Sequence, residues 1–175
     1  MRVLFGAVLA IALAGCGIHE PQTVVSERGV AADPRVTVDG STMVTLARPS
    51  PGPCAAYSVP IDGARAFEAE ISNAVSAALG ARTTRISVTG KRVTARFSFE
   101  PRTTGSLNAS PAITLDAEVS IDGDPPSPVQ WTGSATGPVT NVCGGLGPVV
   151  ADAYRNALHG LATQLRERIA ARFTP

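Results

Sequence analysis

Ile113-Thr114-Leu115-Asp116-Ala117-Glu118-Val119-Ser120-Ile121, followed by Asp122-Gly123-Asp124-Pro125-Pro126, is the most regular stretch of this sequence. Apolar and polar residues alternate without a fault, which is the period of a strand with one dry and one wet face. Asp-Gly followed by two prolines turns the chain. Val129, Trp131, Gly133 and Ala135 then give a returning strand. An antiparallel sheet with one face covered is therefore the expected centre of the fold.

Upstream, Ile86 and Val88 occupy even positions while Val93, Ala95, Phe97 and Phe99 occupy odd ones, so the apolar face changes parity across Gly90. Either Thr89-Gly90-Lys91 reverses the chain or Gly90 marks a bulge in one long strand, because one extra residue flips the alternation. Arg102 to Pro111, rich in Thr, Ser and Gly, reads as a polar loop. Further upstream, Val36 and Val38 alternate, Asp39-Gly40 turns, and Val44 and Leu46 alternate again, as in a hairpin or a broken first strand. Pro49, Pro51, Gly52 and Pro53 enforce a loop carrying Cys54, and Tyr57 and Val59 open a short extended piece that Pro60 ends.

Two helices complete the pattern. Between Asp62 and Leu79, Phe67, Ile71, Val75 and then Ala78 or Leu79 recur at helical spacing, with Asp62 placed to cap the start and Gly80 to end it. After the glycine-rich stretch 137–147, Val150, Tyr154, Leu158, Leu161, Leu165, Ile169 and Phe173 form a stripe at steps of three and four. The expectation is an α+β fold: a mostly antiparallel sheet of about four strands packed against two amphipathic helices, in the order β-α-β-β-β-α.

The N-terminus has a different character. Met1-Arg2 precedes an unbroken apolar run from Val3 to Ala12, closed by Leu13-Ala14-Gly15-Cys16. The run is shorter than the roughly 20 residues that cross a bilayer as a helix, and its layout is that of a secretory signal. Leu-Ala-Gly-Cys resembles the lipobox of bacterial lipoproteins. That resemblance implies cleavage after Gly15, removal of residues 1–15, and acyl groups on Cys16 that hold the chain to an envelope membrane. In that family an Asp after the cysteine favours inner-membrane retention; Gly17 stands there, which points to the outer membrane, facing the periplasm. Residues 16–34 lack periodicity and read as the lipidated start and a flexible tether, leaving 35–175 as one domain.

Losing residues 1–15 removes Arg2 alone of the 15 basic residues and none of the 14 acidic ones, so the mature chain is balanced in charge. Nothing in it favours nucleic acid. Cys54 and Cys143 remain beside Cys16, and in an oxidising compartment a leftover pair points to a disulfide. Its long loop sets an ideal chain-entropy contribution of roughly 4–5 kcal/mol, lowered by strain and residual denatured-state structure.

There is no GxSxG, HExxH or Ser-x-x-Lys, and Gly144-Gly145-Leu146-Gly147 completes neither a dinucleotide fingerprint nor a P-loop. Asp122 and Asp124 lack the glutamate of a calcium loop and fit a turn better. His19 in the tether and His159 beside the apolar stripe are poorly placed for a general base or a metal. The expectation is a non-enzyme without cofactor or metal.

The order of elements after Cys16-Gly17-Ile18-His19 looks like the small outer-membrane lipoproteins that include the LPS-assembly lipoprotein family. The likeness is one of topology and spacing. It implies a partner-binding, assembly or transport-auxiliary role beside an outer-membrane or transport protein, with contact to anionic glycolipid through exposed basic residues. Arg85, Arg92 and Arg96 are the candidates. A periplasmic module that carries a lipid or glycolipid between sheet and helices is the alternative.

Overall fold

The structure, a computed structural model, describes residues 22–24, 29–30, 32–50, 52, 54–55, 57–102, 106–139 and 145–173. The chain is α+β, with two helices and a mostly antiparallel, mixed sheet of five strands, and a second sheet of three. In chain order the elements are β1 (Gln22–Thr23), β2 (Val36–Asp39), β3 (Val44–Ala47), β4 (Val59–Asp62), α1 (Ala64–Leu79), β5 (Ile86–Pro101), β6 (Leu107–Ile121), β7 (Ser127–Ser134), β8 (Gly137–Val139) and α2 (Leu146–Arg172).

The expected strand at 113–121 is the middle of this sheet. Along β6 the residues Ala109, Pro111, Ile113, Leu115, Ala117 and Val119 are buried and their neighbours half-buried, so the alternation in sequence is the alternation of the two faces. Asp122 and Gly123 both adopt positive φ, at 51° and 83°, and Asp124 N–H donates to the Ile121 carbonyl at 2.9 Å. Two left-handed residues in succession suit Asp followed by Gly, the residue types that adopt positive φ at least cost.

β5 is one continuous strand, and Gly90 marks the bulge. Gly90 pairs with Ala117 and Arg92 with Asp116, leaving Lys91 as the extra residue. The inserted residue lets Ile86, Val88 and Gly90 face the core in one half and Val93 in the other.

The polar loop expected over 102–111 is shorter. β5 runs on to Pro101 and β6 begins at Leu107, so residues 107–111 are strand in spite of Asn108, Ser110 and Pro111. Pro111 is tolerated because of where it points. Its carbonyl accepts from Ala135 N–H at 3.3 Å, so its missing N–H faces the far side of β6, not β5. There β7 stops at Ser134 and β8 resumes at Gly137 in the same register, with Ala112 opposite Ser134 and Ala109 opposite Gly137. The two strands are one line interrupted beside a proline.

The order β-α-β-β-β-α is also too simple at the N-terminal end. β2 and β3 are not a hairpin: β2 pairs in parallel with β5, Val36 opposite Ile86, while β3 pairs antiparallel with β4 in the small sheet, whose order is β1-β4-β3. Asp39-Gly40 therefore carries the chain from one sheet to the other. Val44 and Leu46 do alternate, but outward, at 49% and 51% exposure, while Ala47 is buried. The domain also starts before residue 35. Gln22–Thr23 pair in parallel with β4 and Val24 joins the core, so part of the segment expected as tether belongs to the fold; residues 16–21 lie outside the described residues.

Both helices pack on the dry face of the large sheet and on each other. α1 buries Phe67, Ile71, Val75 and Leu79 together with Ala66, Ala69 and Ala74. No side chain caps its first residue in the ordinary way, but Ala64 N–H donates to the Asp62 carboxylate at 3.2 Å. Gly80 ends it at a φ of 54°. α2 spans 27 residues, against the expected helix of about 24, and buries Val150, Tyr154, Leu158, Leu161, Leu165 and Ile169. It lies close enough to β7 that a Cβ on Gly133 would stand 2.0 Å from the Ala157 nitrogen. Trp131 faces the same side against Gly160, yet stays 42% exposed because β7 is the outer strand.

Tyr154 links the two sheets. It is fully buried, and its hydroxyl lies 3.5 Å from the Met43 carbonyl, which also accepts from Gly63 N–H at 3.1 Å. Burial, and next the negative charge of Asp62, push its hydroxyl well above the usual tyrosine range.

Candidate functional site

The wet face of β5, β6 and β7 is where the sequence places the basic candidates. On this face Asp116 gathers neighbours from both sides. Arg92 donates to Oδ2 from Nε at 3.0 Å and from Nη2 at 2.9 Å, and Gln130 Nε2 donates to Oδ1 at 2.5 Å. Lys91 of the bulge pairs with Glu118 at 3.1 Å, and the Thr114 and Thr132 hydroxyls meet at 2.8 Å. Cross-strand pairs of this kind contribute a few tenths to about 1 kcal/mol each, so the face is built largely to be wetted and held in register.

Arg85, Arg92 and Arg96 do not form a cluster. All three are exposed, but at about 3.3 Å per residue Arg85 and Arg96 stand roughly 36 Å apart along the strand. Arg92 is neutralised by Asp116. Arg85 lies at the turn end, where its backbone N–H donates to Asp122 at 2.8 Å. Arg96 has no ion pair among the described residues, and residues from Thr94 to Ser98 surround it with hydroxyls rather than more positive charge.

The two aspartates of the turn have structural employment. Asp122 holds Arg85, and Asp124 pairs with Arg172 at 2.9 Å, fixing the end of α2 over the hairpin. Among the described residues no group of three His, Cys, Asp or Glu could hold a metal ion. His159 is exposed on α2, and His19 lies outside the described residues.

Cys54 is fully buried and disulfide-bonded. It sits in a tight turn in which Ala55 N–H donates to Gly52 and Tyr57 N–H to Cys54 itself. Gly52 rests against the Phe99 ring, which stacks on Phe97 with centroids 6.4 Å apart. Gly52 therefore lies at the far end of the long hairpin. Cys143 and Cys16 lie outside the described residues.

The most strongly perturbed carboxylate is one the sequence did not single out. Asp33 accepts from the Arg35 side chain at 2.7 and 2.9 Å and from the Arg35 backbone N–H at 3.0 Å. Those bonds, the side-chain ones foremost, hold its carboxyl well below the usual carboxylate range. Arg35 also donates to the Gly80 carbonyl at 2.9 Å and to that of Arg82, so the pair clasps the end of α1 to the start of β2. This is a structural clasp, spaced too closely in sequence for any periodicity to reveal.

Compared with known proteins, the chain matches no protein-family model and no curated protein sequence.

Proposed function

We propose that this chain is a lipoprotein of the bacterial envelope, cut before Cys16 and held by acyl groups on that residue. On this reading residues 16–175 present a non-enzymatic α+β domain to a protein partner on the periplasmic side of the outer membrane. The observation that carries it is Leu13-Ala14-Gly15-Cys16 at the close of an apolar run too short to span a bilayer. More than one acyl chain makes such an anchor durable, since each buried CH₂ contributes about 0.8 kcal/mol and a single chain holds only marginally. The likeness to LPS-assembly lipoproteins rested on element order, from which the observed order departs, so the envelope assignment stands on the N-terminal sequence. Both helices are read as amphipathic braces that keep the sheet's wet face available to a partner.

Replacing Cys16 by Ser tests the anchor. The wild-type protein incorporates a fatty-acid label and sediments with membranes, whereas C16S keeps its leader, takes up no label and runs larger. A mature wild-type product that carries no acyl group yet remains with membranes overturns the assignment. Crosslinking in intact envelopes then recovers the partner.

A further inference from the structure

β3 is an edge strand of the small sheet, and its wet side is apolar. Val44 and Leu46 are about half exposed, and exposed Arg48 follows at the same alternation. Tyr57, 37% exposed, precedes β4 on the neighbouring strand. An outward Val-x-Leu on an open edge is a feature that soluble sheets normally avoid.

The chain's own path says what lies opposite. β1 runs parallel to β4 with Gln22 opposite Ile61 and Thr23 opposite Asp62, while on the other side of β4 Leu46 stands opposite Pro60 and Val44 opposite Asp62. The chain thus enters the small sheet at the end nearer Leu46 and runs toward the Val44 end. Gln22 is six residues from Cys16. Fully extended, six residues reach only about 20 Å, so an acylated Cys16 holds the Leu46 end of this sheet close to the membrane. The polarity of the edge agrees: Leu46 and Arg48 lie at the near end, and Asp62, beside Val44, lies at the far end.

We infer that the outward side of β3, with Leu46 and Arg48 leading, is a membrane-docking surface that rests on the lipid interface beside the anchor. This rests on acylation of Cys16, as proposed above. Leu46 enters the boundary between headgroups and acyl chains, Arg48 lays its stem along it with the guanidinium among phosphates, and Val44 follows at a shallower depth. The domain is then held in one orientation, with its large sheet turned to the periplasm, instead of swinging on a leash.

The full acylated protein in vesicles of chain-brominated phosphatidylcholine with phosphatidylglycerol tests this, because bromine quenches indole at short range. The chain has one tryptophan, Trp131, which supplies a baseline on the large sheet. In the variant Leu46→Trp, the added emission falls to roughly half at a depth of about 5–10 Å, while in Thr94→Trp, on the wet face of the large sheet, it is unchanged. Added emission at 46 that matches position 94 in protein shown by mass to be acylated overturns the docking surface and leaves the anchor standing. Shielding of position 46 from water without bromine quenching overturns it too, in favour of a second chain adding to the β3 edge. Protein whose mass shows no acyl group removes the anchor and the docking surface together.

Discussion

β6 and β3 carry the same pattern and use it in opposite ways. Both alternate apolar with polar residues, but β6 turns Ile113, Leu115, Ala117 and Val119 under two helices, and β3 turns Val44 and Leu46 to the outside. The difference lies in their neighbours. β6 has partners on both edges and helices over one face, so its apolar residues have one dry side to occupy. β3 is short, open on one edge, and packs its core through Ala47 and the preceding Met43. Period two announces a strand with two unlike faces; it does not announce which of them is wet.

Five substitutions break or sharpen that contrast. Leu115→Ala empties fully buried volume in β6 and lowers unfolding stability by about 2–5 kcal/mol in denaturant titration. Its counterpart Leu46→Ala in β3 stays within about 0.5 kcal/mol; a larger loss would show that β3 is packed after all. Cys54 is disulfide-bonded, and we propose Cys143 as its partner. Cys143→Ser lowers stability by about 2–5 kcal/mol, and peptide mapping without reductant recovers the two cysteines in one fragment of the wild type.

Gly133→Ala tests the closeness of α2 to the large sheet. A methyl there meets backbone, which cannot rotate away, so stability falls by about 1–3 kcal/mol while the mutant keeps its wild-type circular dichroism. The clasp at Asp33 is read through pH. Its carboxyl is lowered in the folded chain, so its stabilisation is fully present above the unfolded value of about 3.9 and is lost as pH falls below it. The stability gap between wild type and Asp33→Asn is accordingly open at neutral pH and closes below about pH 4; a gap independent of pH would assign the effect to something other than the charge.

How much of this was legible in the sequence follows from range. The strand at 113–121, its Asp-Gly turn and both helices are written in local periodicity and turn chemistry, and all four lie where the residues place them. The parity change at Gly90 was legible as two alternatives, and only the register with β6 distinguishes them. Residues 107–111 were not legible as strand, since the tolerance of Pro111 depends on a gap between β7 and β8 that is remote in sequence. Nor were β1 and the small sheet: two residues paired with a strand nearly forty positions away leave no periodic trace, although the apolar run Val24-Val25 was a cue. Of the candidate residues, Arg92 turned out to be committed to Asp116, a pairing that spacing along the chain cannot show.

Lys91 has no opposite number in the register between β5 and β6. As the surplus residue between two half-strands, it could be lost without turning either half inside out, because Gly90 and Val93 would then follow a single unbroken alternation. Dropping a residue at most other points of β5 would send Phe97 and Phe99 to the water side. Within the paired part of the hairpin, length can therefore change by a single codon beside Gly90 while the oily interior stays sealed.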